Sequence, residues 1–177
     1  MVSIHKEVEM HQVRHILQLK GDFIWTISPD DTVFEALRLM ATKGVGALVV
    51  TKDEKMVGIV SERDYARKVI LKGRTSRDTL VREIMTSEVF TIHPDQTVEE
   101  CMELMTEKRV RHVPVLENDR LVGVISIGDV LKDVIYHQRQ VISEMEDKVL
   151  RGKPEVIEPA VPRFAGWGKK PEDKTSN

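Results

Sequence analysis

Residues 26–70, TISPDDTVFEALRLMATKGVGALVVTKDEKMVGIVSERDYARKVI, align without a gap to residues 91–135, TIHPDQTVEECMELMTEKRVRHVPVLENDRLVGVISIGDVLKDVI, at a constant offset of 65. Eighteen of the 45 positions are identical, and strand positions such as Leu48/Val113, Ile59/Val124 and Val60/Ile125 exchange one aliphatic residue for another. A repeat of this length decides the architecture before any local reading, because each copy must be the same supersecondary unit.

The unit is legible from its spacing. A short strand, Trp25-Thr-Ile27 or Phe90-Thr-Ile92, runs into Pro29-Asp30 or Pro94-Asp95, a turn dipeptide, and then a helix capped near Thr32 or Thr97. In that helix Val33, Ala36, Leu37 and Met40 recur at three- and four-residue spacing, as do Val98, Cys101, Met102 and Met105, giving one apolar face. Residues 47–51 and 56–60 then read as a hairpin, repeated at 112–116 and 121–125, with polar turns between. A second helix starts at Ser61 or Ser126. The fold class is α/β in the mixed α+β sense, strand-helix-strand-strand-helix twice. One copy alone is too small to cover both faces of its sheet, so the two are expected to pack together.

Outward from the repeats, residues 11–20 read as a short helix ended by Gly21. Val13-Arg-His-Ile16 there echoes Val81-Arg-Glu-Ile84, so the duplication reaches upstream. The expected organisation is an N-terminal extension at 1–8, a first copy at 9–72, a polar linker at 73–80 and a second copy at 81–138. A helical extension at 139–151, with Val141, Ile142, Met145 and Val149 at helical spacing, precedes a proline-containing flexible tail at 152–177.

Composition narrows the function classes. The 27 basic and 29 acidic residues give a formal charge of −2, so no global field draws the chain to nucleic acid or an anionic membrane. No apolar run approaches the roughly 20 residues that span a bilayer. The first residues mix acids and bases without an apolar signal core, and a cytoplasmic location is the expectation. Cys101 is the single cysteine, which excludes an intramolecular disulfide and a multi-thiolate zinc site; it reads as a small buried residue matching Ala36. The six histidines show no metal-ligand spacing with carboxylates. Neither a nucleophile–base pair nor paired acids emerge, so an enzyme is not expected.

Met85-Thr86, Arg-His-Val-Pro-Val at 111–115, Gly-Ile-Val-Ser-Glu-Arg-Asp-Tyr at 58–65 and Leu-Val-Gly-Val-Ile-Ser-Ile-Gly-Asp at 121–129 together resemble the cystathionine-β-synthase (CBS) domain pair, or Bateman module. The likeness covers roughly residues 10–140, and the wording is similar to that of small stand-alone CBS-pair proteins. The resemblance implies two copies packed with pseudo-two-fold symmetry, two sites for AMP, ADP, ATP, S-adenosylmethionine or NAD(H), assembly as a homodimer, and a regulatory role read by a protein partner yet to be named.

The residues that would carry such a site form the signature Gly58-Ile-Val-Ser61-Glu-Arg-Asp64 and its copy Gly123-Val-Ile-Ser126-Ile-Gly-Asp129. Each sets a hydroxyl and a carboxylate at a strand-to-helix junction, where free backbone N–H groups favour an anion. The same spacing is a variant of the helix capping box, which needs no ligand. By the resemblance, Asp64 and Asp129 hold ribose while Ser61 and Ser126 lie near phosphates. The base slot falls to the opposite copy: Gly46, Ala47 and Leu48 for the Asp129 cleft, and His112, Val113 and Pro114 for the Asp64 cleft. Arg63, Arg109 and Arg111 supply cations. Their counterparts are Gly128, Gly44 and Gly46, so the two clefts cannot be equivalent. A nucleotide sensor is the first reading, and a ligand-free interaction module is its rival.

Overall fold

The structure is a computed structural model, and it describes residues 11–21 and 23–149. The extension at 1–8 and the tail at 152–177 lie outside the described residues. The elements run α1 (Val13–Lys20), β1 (Thr26–Ile27), α2 (Val33–Lys43), β2 (Ala47–Lys52), β3 (Lys55–Ser61), α3 (Glu62–Lys68), α4 (Val98–Lys108), β4 (His112–Glu117), β5 (Arg120–Ser126) and α5 (Ile127–Val149), with single 3-10 turns at Ile70–Lys72 and Val81–Glu83. Among the described residues, those up to Gln138 form one compact unit, and those from Arg139 belong to a second.

Both copies build their hairpins the same way. β2 pairs antiparallel with β3, and β4 with β5, each ladder slipping once, at Val50/Thr51 and at Val115/Leu116. The turns place Asp53-Glu54 and Asn118-Asp119 in the left-handed region. Two consecutive positive-φ residues make the turn whose twist matches the flanking strands, and Asp and Asn tolerate that conformation best. β1 adds a parallel strand on β2 through Thr26↔Val49 and Ile27↔Val50. In the second copy the matching strand shrinks to one bridge, Ile92↔Val115. Thr32 and Thr97 each close a capping box, with Glu35 and Glu100. Their helices bury Val33, Ala36 and Met40, or Val98, Cys101 and Met105. Burial pushes the Cys101 thiol up to about 11, which keeps it protonated and inert.

The two cores exchange their upstream segments. α1 falls within the first copy as expected at 9–72, yet Val13 and Ile16 pack with Ile92, Val98, Cys101, Val113 and Val130 of the second. Val81 and Ile84 open the second copy as expected at 81–138, yet pack with Val33, Met40, Leu48 and Val69 of the first. Matching main-chain bonds fix both: Val98 N–H donates to His11 O at 2.7 Å, and Val33 N–H to Thr79 O at 2.9 Å. Each copy is therefore completed by the stretch that leads into the other, which ties the pair into one cooperative body. The fit is close at the glycines of the strands beneath. A Cβ on Gly123 would press on the Leu17 side chain, and one on Gly58 would lie 2.8 Å from the Met85 sulfur and 3.0 Å from Thr86 O.

Candidate functional site

The strand-to-helix junctions are built first by capping. At the start of α3, Ser61 Oγ accepts from Asp64 N–H at 3.3 Å, while Ser61 N–H and Oγ–H donate to Asp64 Oδ2 at 3.0 and 2.7 Å. At the start of α5, Ser126 and Asp129 repeat all three bonds at 3.2, 2.8 and 2.7 Å. Main chain from the preceding corner completes each junction: Glu62 N–H donates to Gly46 O, and Ile127 N–H to Arg111 O. Up to here the copies are the same.

They diverge at the remaining carboxylate capacity. Asp64 Oδ1 is held by Lys68 at 2.8 Å, one helical turn on. Asp129 Oδ2 instead takes Lys20 at 2.7 Å, from the end of α1, whose ammonium also reaches Val124 O at 2.9 Å. For Asp129, burial works against the charged form. Lys20 and Ser126 outweigh it, and its pKa lies below the ordinary carboxylate value.

The cleft over Asp64 has a volume of about 320 Å³. One wall comes from the first copy, with Ile59, Ser61, Arg63, Asp64 and Arg67. The opposite wall comes from the corner between α4 and β4, with Lys108, Arg109, Val110, Arg111 and His112, and the floor from Thr86, Glu88, Val89 and Phe90. Arg63 Nη1–H donates to Arg109 O at 3.3 Å and closes the two walls on each other. Arg109 caps α4 at φ 54°, in the left-handed region, where Gly44 caps α2 at φ 66° in the first copy. That conformation costs an L-residue on the order of 1 kcal/mol. His112 packs on Gly46, whose missing side chain leaves the ring 3.5 Å from where a Cβ would sit. Burial first, then the charges of Arg111 and Lys20, push the His112 imidazole down to about 4, so it is neutral at pH 7.

Beside Asp129 lies a hollow of about 360 Å³ lined by Ile16, Leu19, Lys20, Lys132, Asp133 and Tyr136 as well as Asp129. Neither Ser126 nor Gly46, Ala47 or Leu48 lines it. Leu48 is a core residue, as are Val113 and Pro114 of the other expected slot. β2 and β4 are buried on both faces over residues 48–50 and 113–115, so these side chains are taken up in packing and line neither cleft. His112 and the arginines before it form the wall instead.

A CBS domain model matches residues 13–70 and again residues 81–136. The chain belongs to the CBS-domain family. A solved CBS-domain protein of Burkholderia ambifaria, described as a putative signal-transduction protein, is 50% identical, with a TM-score of 0.70 over 72% of this chain and 96% of that one. The mitochondrial CBS domain-containing protein CBSX3 of Arabidopsis thaliana is 39% identical over 137 residues, 75% of this chain and 66% of that relative. The chain thus spans just under two thirds of that relative's length. A further CBS domain pair, solved in complex with 5′-methylthioadenosine and S-adenosyl-L-methionine, shares the fold at 23% identity and a TM-score of 0.64, over 73% of this chain and 98% of that one. No helix among the described residues is long and apolar enough to cross a membrane.

Within this CBS pair, the structure brings Ser61, Arg63, Asp64, Arg111 and His112 to one cleft and leaves Asp129 beside the other hollow. Sequence reasoning missed Arg67, Lys108, Glu88 and Phe90 as cleft residues, and Lys20 as the partner of Asp129. Arg67 was within reach, since α3 brings it one turn after Arg63 on the same face. Lys20 was not, because its partner is 109 residues away.

Proposed function

We propose that this CBS pair is a regulatory sensor that holds an adenine nucleotide, AMP, ADP, ATP or NAD(H), in the Asp64 cleft and transmits occupancy to a protein partner, acting as a homodimer. One observation carries the reading: the cleft joins an acidic helix cap from one copy to an apolar and cationic wall from the other, so a ligand in it must touch both. Ile59, Val89, Val110 and Phe90 offer faces for a base. Asp64 has lone pairs beyond its capping bonds for a ribose diol, given that Lys68 can swing away. The volume suits a nucleotide-sized ligand, for which pockets of about 300–1,000 Å³ are usual. The complex of the distant pair with adenosyl compounds supports the same ligand class. A ligand that binds one arrangement of the two copies better than another shifts their equilibrium, and that is all a sensor requires.

A specific observation favours the rival. Both Ser–Asp boxes are complete without any ligand, and no buried side-chain polar atom among the described residues lacks a partner. Thermal melting against AMP, ADP, ATP, NADH and S-adenosylmethionine decides between them. A ligand at 100 times its dissociation constant adds about 2.7 kcal/mol of stability, and Asp64→Ala should abolish that gain while remaining folded. Absence of any shift, or an undiminished shift in Asp64→Ala, returns the junctions to pure helix capping.

A further inference from the structure

We infer that the Asp64 cleft selects ligands bearing two or more phosphates and turns away sulfonium compounds and uncharged nucleosides. The inference rests on the nucleotide reading above and narrows it to nucleoside di- and triphosphates.

Charge in the cleft is lopsided. Arg63, Arg67, Lys108, Arg109 and Arg111 face two carboxylates, those of Asp64 and Glu88. One of the two is already engaged, by Ser61 and Lys68. Three arginines outside the cleft find internal partners: Arg14 bonds Asp95 and Glu117, Arg74 bonds Glu83, and Arg82 bonds Asp30. Among the described residues none of the four cleft arginines is ion-paired with a carboxylate. Concentrating unpaired cations on two facing walls raises the self-repulsion of the empty cleft and leaves guanidinium forks free for bidentate phosphate binding. His112, neutral at pH 7, adds no charge of its own.

The duplication supplies an independent internal control. Three of the five cations, Arg63, Arg109 and Arg111, stand where the other copy has Gly128, Gly44 and Gly46. Arg109 holds a left-handed cap that glycine adopts without strain. A residue kept in that conformation at the mouth of a cleft is explained by what its side chain does there. In the Asp129 hollow the balance is even, Lys20 and Lys132 against Asp129 and Asp133. The excess of positive charge thus belongs to one cleft and not to the fold.

Titration calorimetry of the full chain with adenosine, AMP, ADP, ATP, S-adenosylmethionine and inorganic tripolyphosphate tests this. Each additional charge-assisted contact is expected to tighten binding about tenfold, so ATP should exceed adenosine by about 100-fold or more. S-adenosylmethionine should bind no better than adenosine. Tripolyphosphate should compete with ATP, and raising salt should weaken ATP but not adenosine. Arg109→Gly should fold at least as well as the parent, lose about tenfold in ATP affinity and leave adenosine unchanged. Equal affinities for adenosine and ATP, tight binding of S-adenosylmethionine, or indifference of ATP to Arg109→Gly each overturn the inference; adenosine binding that still needs Asp64 then leaves the nucleotide reading intact. Tripolyphosphate binding as tightly as ATP, with adenosine silent, would do the reverse.

Discussion

The junction after β3 and the junction after β5 carry the same serine, the same aspartate three residues on and the same three hydrogen bonds, and they end in different chemistry. Over Asp64 stands a two-walled cleft with five cations. Over Asp129 stands an ammonium from the protein's own N-terminal helix. Duplication supplies a scaffold, and helix caps are the part of it that stability preserves in both copies. The lining outside the caps costs little to change, so a handful of glycine-to-arginine differences and one lysine suffice to give two copies of one fold different charge environments.

The sharpest way to break that comparison is through the exchanged segments. Ile84 is 1% exposed in the first core and Ile16 is 4% exposed in the second. Truncating a buried isoleucine to alanine costs about 2–5 kcal/mol, a large share of the 5–15 kcal/mol that holds a domain. Ile84→Ala should speed amide exchange first in β2 and β3, and Ile16→Ala first in β4 and β5. Exchange that quickens instead in the copy next to each residue in sequence would show that the segments are not swapped.

A second test turns on His112, whose counterpart in the other copy is Ala47. Unfolded, the imidazole titrates near 6.5; folded, it is pushed down to about 4. Between those values the unfolded chain binds the extra proton, so stability is held above pH 6.5 and falls as the pH drops toward 4. At about 1.4 kcal/mol per pKa unit, and with the ring partly exposed, the loss is on the order of 2 kcal/mol. Asp129, also depressed, adds a loss of the same sign at lower pH. The contribution of His112 is therefore the difference between parent and His112→Gln in denaturant melts at pH 7 and pH 4.5. An identical pH slope in both would place the ring in solvent and remove it from the cleft wall.

How far the sequence reaches can be judged residue by residue. The gapless offset of 65 made Asp64 and Asp129 equivalent and exposed the Arg109/Gly44 and Arg63/Gly128 differences, which became the cleft asymmetry. Hairpin strands came within a residue or two of their observed ends, because period-two patterning and polar turns are local signals. The second-copy strand before Pro94 did not materialise beyond one bridge, since an edge position needs pairing that its sequence alone does not guarantee. Val113 and Pro114 are buried although His112 just before them lines the cleft, because the strand is covered on both faces over residues 113–115, which motif wording does not encode. Least legible was the route of α1: its echo of residues 81–84 signalled duplication, but which core it fills is a question of chain crossing, with no local signature.

Lys20 is the smallest of the differences in stability and the most informative about occupancy. Its side chain is 36% exposed, and an ion pair so placed contributes about 0–1 kcal/mol. Lys20→Met should therefore melt within a few degrees of the parent, since Asp129 keeps its bonds from Ser126. The echo of residues 13–16 in 81–84 sets Lys20 against Glu88, so one cleft receives a cation at its acid where the other receives a second acid. A ribose diol approaching Asp129 must displace an ammonium bonded to two oxygens, the carboxylate and Val124 O. With Lys20 in place, calorimetry with ADP should count one nucleotide per chain; in Lys20→Met it should count a second, weaker site, because the hollow has few cations to hold phosphate. Two sites of equal strength in the parent would erase the difference between the junctions, whereas a single site in both proteins would locate the block in the hollow's shape instead of in its lysine.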